Sequence, residues 1–331
     1  MSNAIIKQQG AGSLVADNIW EFRLGAGAYA LGLVTAAAGA LLVVNRLARR
    51  SAGTRAAPTP MGWPVNFAHR GGSKIVPENT IEGFREAVSL GPVVLEVDVR
   101  TSADGSVVVI HDETVDRTTN GTGDVARMTL AELQSLDAGY RFTPDDGATF
   151  PWRGRGVTIP TLEAVYREFP DRPINIELKG ERPGSEAALW RTIAAIGGEP
   201  RTLVVADSAD AINRFRVASG GTVATAASSG ELVKFRLLSL LRLGRLYNAP
   251  FQALQPPDAY KGIRIVTRGL VRAAHRSGFR VDVWTIDDEA DMHRLLELGV
   301  DGIMTDRPDI LTRVLGHSRE AVAPPLGQGQ R

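Results

Sequence analysis

The tightest constraint on this chain's fold is a repeated alternation of short apolar runs with amphipathic stretches. The apolar runs fall at residues 66–68, 93–99, 174–178, 203–206, 222–226, 252–254, 281–286 and 302–305. Segments with helical periodicity lie between most of them, for example at 80–90, 162–168, 185–196, 209–218, 268–277 and 289–298. Strand then helix, repeated, implies parallel pairing through right-handed crossovers, since parallel neighbours cannot be joined by a tight turn. Eight such strands over residues 65–316, about 250 residues, suit closure into a (β/α)8 TIM barrel. An open doubly wound sheet satisfies the same periodicity. Its nucleotide-binding versions lose support, because no Gly-x-Gly-x-x-Gly follows the first strand and no Gly-x-x-x-x-Gly-Lys-Ser/Thr occurs. With a net charge of +1, nothing global favours nucleic acid as a partner.

One connection is out of proportion. Residues 111–158, after the second strand, are rich in turn formers, including Thr118-Thr119-Asn120-Gly121 and Pro144-Asp145-Asp146-Gly147. An inserted loop region of this length in a compact domain is usually functional and lies over the active face.

Upstream of the barrel the chain changes character. After an N-terminal segment, 1–23, no Asp, Glu, Lys, Arg or His occurs over residues 24–45. As a helix rising about 1.5 Å per residue, this stretch spans roughly 33 Å and matches a bilayer core. A cleavable signal would have a shorter apolar run of ~7–15 residues. One transmembrane helix over 24–45 is therefore expected, then a linker over 46–64; residues 317–331 read as a flexible tail. Arg46, Arg49, Arg50 and Arg55 follow the span, whereas Lys7 and Arg23 precede it. The positive-inside rule then places a single-pass protein's catalytic domain in the cytoplasm. Ala28, Gly32, Ala36 and Ala40 form a small-residue ridge of the kind that pairs two anchors into a homodimer.

Polar residues gather at strand ends in a way a barrel core does not need. His69 and Arg70 close the first strand. Glu96 and Asp98 lie two apart on the second and so share a face, while Leu95, Val97 and Val99 take the other. Glu177 and Lys179 repeat the device on the next strand. Converging buried carboxylates repel unless a cation sits between them. With no cysteine in the chain, an all-carboxylate set favours a hard divalent ion, Mg2+ or Ca2+, over zinc.

The order of the motifs is specific. His69-Arg70-Gly71-Gly72, Pro77-Glu78-Asn79-Thr80, Glu96-Val97-Asp98-Val99, Asp104-Gly105 and Val108-Val109-Ile110-His111-Asp112 succeed one another, followed by Arg117-Thr118-Thr119-Asn120-Gly121-Thr122-Gly123. Glu177-Leu178-Lys179, Val283-Trp284-Thr285 and Gly302-Ile303-Met304-Thr305-Asp306 complete the series. This closely resembles the glycerophosphodiester phosphodiesterase family across nearly all of 65–316. The resemblance implies a (β/α)8 barrel holding one divalent cation on Glu96, Asp98 and Glu177, with His69 and His111 as general acid and base. It further implies that Arg70 and Lys179 hold the phosphate and that Trp284 lines the glycerol side. Glu78, with Asn79 beside it, would support the metal and the histidines. The implied reaction splits a glycerophosphodiester into glycerol 3-phosphate and an alcohol, through attack by the glycerol 2-hydroxyl and a cyclic phosphate. Gly91-Pro92 and Ile286-Asp287 depart from the usual family sequence, and neither is a proposed catalytic position.

Residues 231–247 are leucine-rich and basic, with no acid after Glu231. Two expectations compete: a barrel helix that buries its leucines against the sheet, or an interfacial helix at the pocket mouth that dips into lipid. The second favours a lysophospholipid substrate and a lysophospholipase D-type reaction. A catalytically inactive, membrane-tethered binding barrel would have lost a histidine or carboxylate from this set, and all are present.

Overall fold

A computed structural model describes residues 64–322 apart from 181, 207, 245 and 246, with side chains through Gly316. The expected transmembrane span at 24–45 and the N-terminal segment lie outside the described residues, as do nearly all of the linker and the end of the tail. Among the described residues no helix is long and apolar enough to cross a membrane.

The eight expected strands form one parallel ring. They are β1 (Val65–Ala68), β2 (Val93–Thr101), β3 (Ile174–Leu178), β4 (Thr202–Ala206), β5 (Ala224–Thr225), β6 (Ala253–Leu254), β7 (Arg280–Val283) and β8 (Gly302–Thr305). Each pairs with its neighbours in chain order, and β8 returns to β1, where Val65 faces Gly302 and Ala68 faces Thr305. The last seam, β5 to β6, closes by a single bridge between Ala226 and Ala253, with Gln252 N donating to Thr225 O at 2.9 Å. The barrel thus prevails over the open sheet. Gly302 is needed at the β8–β1 pairing, because a Cβ there would collide with the Phe67 ring and stand 2.7 Å from Asp282 Oδ1.

The helices are α1 (Ile81–Ser89), α2 (Leu130–Gln134), α3 (Leu162–Glu168), α4 (Ser185–Ala195), α5 (Ala209–Ala218), α6 (Ser229–Leu240), α7 (Arg268–Ser277), α8 (Glu289–Leu298) and α9 (Pro308–Val322). The last continues past residue 316, into the stretch expected to be a loose tail. Thr80, Thr161, Ser208, Ser228, Thr267 and Asp288 cap their helices by accepting from the backbone amide three residues on. Each cap satisfies an N–H left without an intrahelical partner and marks where strand gives way to helix. Leu95, Val97, Val99, Ile174 and Ile176 pack outward against Phe84, Leu189 and Phe215, and a matching layer forms around Val281, Val283 and Ile303. Phe67, Val94 and Met304 fill the inside of the ring.

The insertion is a packed body with its own core. Strand Val107–Val109 folds back antiparallel on β2, and Val108, Ile110, Val115, Val125, Leu133, Val157 and Ile159 form a separate apolar cluster. It is tied down at its start, where Arg100 Nε donates to the His111 carbonyl at 2.8 Å and Ile110 N donates to Asp98 O at 2.9 Å.

Helix α6 does not bury its leucines against the sheet as the first expectation required. Only Phe235 is buried, while Val233, Leu237, Leu240, Leu241 and Leu243 are exposed. The leucines fall all round the helix, so no single stripe faces the sheet. Nor do they crown the pocket. Because α6 starts after the C-terminal end of β5 and runs back along the barrel, Leu237–Leu243 lie towards its N-terminal face.

Candidate active site

The C-terminal ends of β1, β2, β3 and β8 deliver a cluster of charged side chains. On β2, Glu96 and Asp98 point into the ring while their neighbours pack outward, and Asp98 sits in register with Glu177 of β3. Ligand oxygens of Glu96, Asp98 and Glu177 all lie within 4.8 Å of one another, with the first two residues buried. Burial, reinforced by the charges of Asp98 and Glu177, pushes the Glu96 carboxyl up to about 8. A cation would relieve that repulsion. Asp98 Oδ1 is buried with no hydrogen bond, and Lys179 Nζ stands 3.5 Å from it. Three oxygen donors, one of them unsatisfied, fit a hard divalent ion.

The surrounding residues fix this triad. Asn79 grips Asp98 at two points: its Nδ2 donates to Asp98 Oδ2 at 2.9 Å, and Asp98 N donates to its Oδ1 at 3.2 Å. Arg70 N donates to Glu96 Oε2 at 2.9 Å, and its Nε lies 3.1 Å from Asp98 Oδ2. Lys179 Nζ is 2.7 Å from Glu177 Oε1. Arg70 and Asn79 both hold positive φ, 52° and 57°, a costly backbone for residues with a Cβ. Asn79 N closes the arrangement by donating to Arg70 O at 2.8 Å.

Each histidine is oriented through Nδ1 by a carboxylate. His69 Nδ1 is 2.6 Å from Asp306 Oδ1, which also accepts from Ser73 Oγ. His111 Nδ1 is 2.6 Å from Asp112 Oδ1. A carboxylate at Nδ1 leaves Nε2 free to exchange a proton; His69 Nε2 lies 4.0 Å from Glu96 Oε2. Arg117 links the halves, with Nε on Asp112 Oδ2 at 2.6 Å and Nη1 on Glu78 Oε2 at 2.7 Å. Glu78 Oε1 in turn accepts from Arg70 Nη1 at 3.1 Å. Burial would raise the Asp112 carboxyl, but hydrogen bonds from Arg117 and His111 hold it at about 2.

Of the expected residues, His69, Arg70, Glu78, Asn79, Glu96, Asp98, His111, Glu177 and Lys179 thus form one connected network. Trp284 stands apart at the rim, half-exposed, with its indole N–H donating to Gln255 O at 2.6 Å. A two-residue bridge, Pro257 to Trp284, ties it to the hairpin Ala259–Tyr260 and Ile263–Arg264, whose Tyr260 and Ile263 are paired and exposed. Asp306, Asp112 and Arg117 join this network beyond the residues expected from the sequence. For Asp112 the signal is its place directly after His111 in the sequence; Asp306, 237 positions from His69, carries no such local signal. The unusual Asp287 lies one bond further out, accepting from Asp306 N at 2.8 Å and pairing with Lys74.

Burial alone would lower the His69 pKa. The Asp306 hydrogen bond and the charges of Glu96 and Asp306 outweigh it and lift the ring from 6.5 to about 9. Protonated His69 therefore stabilises the fold fully below 6.5, and that contribution is lost as pH rises through about 9. Asp306→Asn is expected to shift the alkaline limb of the kcat/KM pH profile to lower pH, because burial then acts with less opposition. An unmoved limb, in a variant that still folds, would show that Asp306 does not set the state of His69.

Residues 69–310 match the glycerophosphoryl diester phosphodiesterase family. A glycerophosphodiester phosphodiesterase from Caldanaerobacter subterraneus subsp. tengcongensis is 36% identical over 258 residues, covering 75% of this chain and 96% of the relative. The crystal structure of a glycerophosphodiester phosphodiesterase from Agrobacterium tumefaciens superposes with a TM-score of 0.61 at 27% identity, over 75% of this chain and 99% of that one. An Oleispira antarctica phosphodiesterase in complex with the product sn-glycerol-3-phosphate gives a TM-score of 0.61 at 25% identity, over 77% and 97%. The chain therefore belongs to the glycerophosphoryl diester phosphodiesterase family and is a phosphoric diester hydrolase.

Proposed function

We propose that the protein hydrolyses glycerophosphodiesters to glycerol 3-phosphate and an alcohol, with His69 and His111 as the acid–base pair. The observation behind this reading is that two carboxylate-oriented histidines belong to the same network as a buried three-carboxylate cluster. Glu96, Asp98 and Glu177 would hold one Mg2+ or Ca2+, which when bound would offset charge on the phosphate and acidify a coordinated hydroxyl. Arg70 offers a guanidinium fork and Lys179 a compact charge to the remaining phosphate oxygens. His69, protonated up to about 9, is suited to deliver a proton from Nε2 to the departing alkoxide. His111, held by Asp112, is suited to accept the proton of the attacking hydroxyl. Trp284 offers its exposed ring face to the glycerol side.

A second reading, lysophospholipase D-type hydrolysis, draws on the apolar lip of Tyr260, Ile263 and Trp284 on the catalytic face. The chain would act as a single-pass membrane protein tethered by residues 24–45, with the barrel in the cytoplasm and paired through the anchor ridge. One panel tests these points: full-length protein with glycerophosphocholine or lysophosphatidylcholine, in Mg2+, Ca2+ or chelator, with products followed by phosphorus NMR. Glycerol 3-phosphate from the water-soluble diester, absent with chelator, is expected. Phosphocholine as product, or turnover indifferent to chelator, would overturn the reading. Clear preference for the acylated substrate would favour the second.

A further inference from the structure

At the end of the barrel away from the carboxylates, an open cavity of about 500 Å³ is lined by Ser239, Arg242, Gly244, Ala273, Arg276 and Ser277. These residues lie at the C-termini of α6 and α7, just before β7 begins at Arg280, so the cavity opens on the N-terminal face of the ring. The chain also enters β1 at this face, at Val65. Neither Arg242 nor Arg276 meets a carboxylate among the described residues. Ser277 Oγ is buried without a hydrogen-bond partner. Arg242 holds a φ of 58°, a backbone that a residue with a Cβ adopts at a cost. Leu237, Leu240, Leu241 and Leu243 stand exposed nearby, Leu240 by 69% and Leu241 by 68%.

Two guanidiniums without a carboxylate partner, lining one cavity with an unpartnered buried hydroxyl, supply the donors that bind phosphate oxygens. A collar of exposed leucines among basic residues describes an interfacial surface. A second copy of this chain is a poor occupant, because a two-fold contact at the cavity would set arginine against arginine. We propose that the cavity takes the headgroup phosphate of an anionic phospholipid while the leucines enter the acyl boundary, docking the barrel on a bilayer by its N-terminal face. The catalytic mouth, at the opposite end, then opens towards water. This surface is independent of the reaction proposed above.

The chain has no cysteine, so one introduced thiol can be labelled uniquely. Full-length protein carrying Leu241→Cys with an environment-sensitive fluorophore is reconstituted into phosphatidylcholine vesicles with or without phosphatidylglycerol. A blue shift with increased emission is expected only when phosphatidylglycerol is present, and none for a label at Tyr260→Cys on the catalytic face. Arg242→Gln/Arg276→Gln should abolish the shift while hydrolysis of a soluble diester, which reports a folded barrel, is unchanged. A shift of equal size in neutral vesicles would assign the patch to a second copy. That result, no shift at all, persistence in the double variant, or a shift at Tyr260→Cys instead would each overturn the proposal.

Discussion

His69→Ala is expected to lower kcat/KM for a glycerophosphodiester by ~10²–10⁴, the range general acid–base catalysis contributes. The loss should appear mainly in kcat, because the ring acts on a proton in flight and the phosphate keeps Arg70 and Lys179. His111→Ala should fall in the same range. The double variant should lose less than the product of the two, since an acid without its base has little left to assist. His69 is held by Asp306 on a turn whose backbone also contacts Glu96, so the fold must be checked in parallel. Steady-state rates beside thermal melts separate the two effects. Wild-type turnover by either single variant would remove that histidine from the mechanism.

Asp98→Asn is expected to abolish the response of the enzyme to divalent cations, with a loss exceeding the ~10–100-fold typical when a residue behind a metal ligand is replaced. The substitution keeps the side chain's size but cuts the triad from three charges to two. It also converts the oxygen that lacks a hydrogen bond into part of an amide. The cation-free fold should not suffer in proportion: the change removes one of three mutually repelling carboxylates, and it relieves the like charge that helps raise Glu96. Calorimetric titration with Mg2+ and Ca2+, together with activity against added cation, measures both. An Asp98→Asn enzyme with the wild-type cation dependence would move the metal elsewhere.

The strands were legible because they are short apolar runs, six of the eight followed by a helix with a side-chain cap, a pattern that parallel pairing through helical crossovers produces. Glu96 and Asp98 were legible for a related reason: alternation on one strand fixes which residues share a face. The partners of the histidines were not. Asp306 reaches His69 across 237 positions, through the pairing of β8 with β1, and no local pattern encodes that contact. The contact of Arg117 with Glu78, 39 positions away, depends on how the insertion lies against the loop between β1 and α1, which turn-rich sequence leaves open. In α6, leucine content left burial and an interfacial face both open, because burial follows periodicity. With leucines on every side, Phe235 is fully buried and Leu232 partly so, while most of the others face solvent.

The ring is mechanically uneven. Its clustered carboxylates and first histidine ride on β1, β2 and β3, where ladders of three to five paired residues run without interruption. Diametrically across, β5 and β6 are two residues each and meet through one bridge. The shortest pairing of the ring thus lies across from the carboxylates, beside α6 and its exposed leucines. A load applied at that flank, by a bilayer or by thermal opening, is absorbed at the clasp before it reaches the geometry of the three carboxylates.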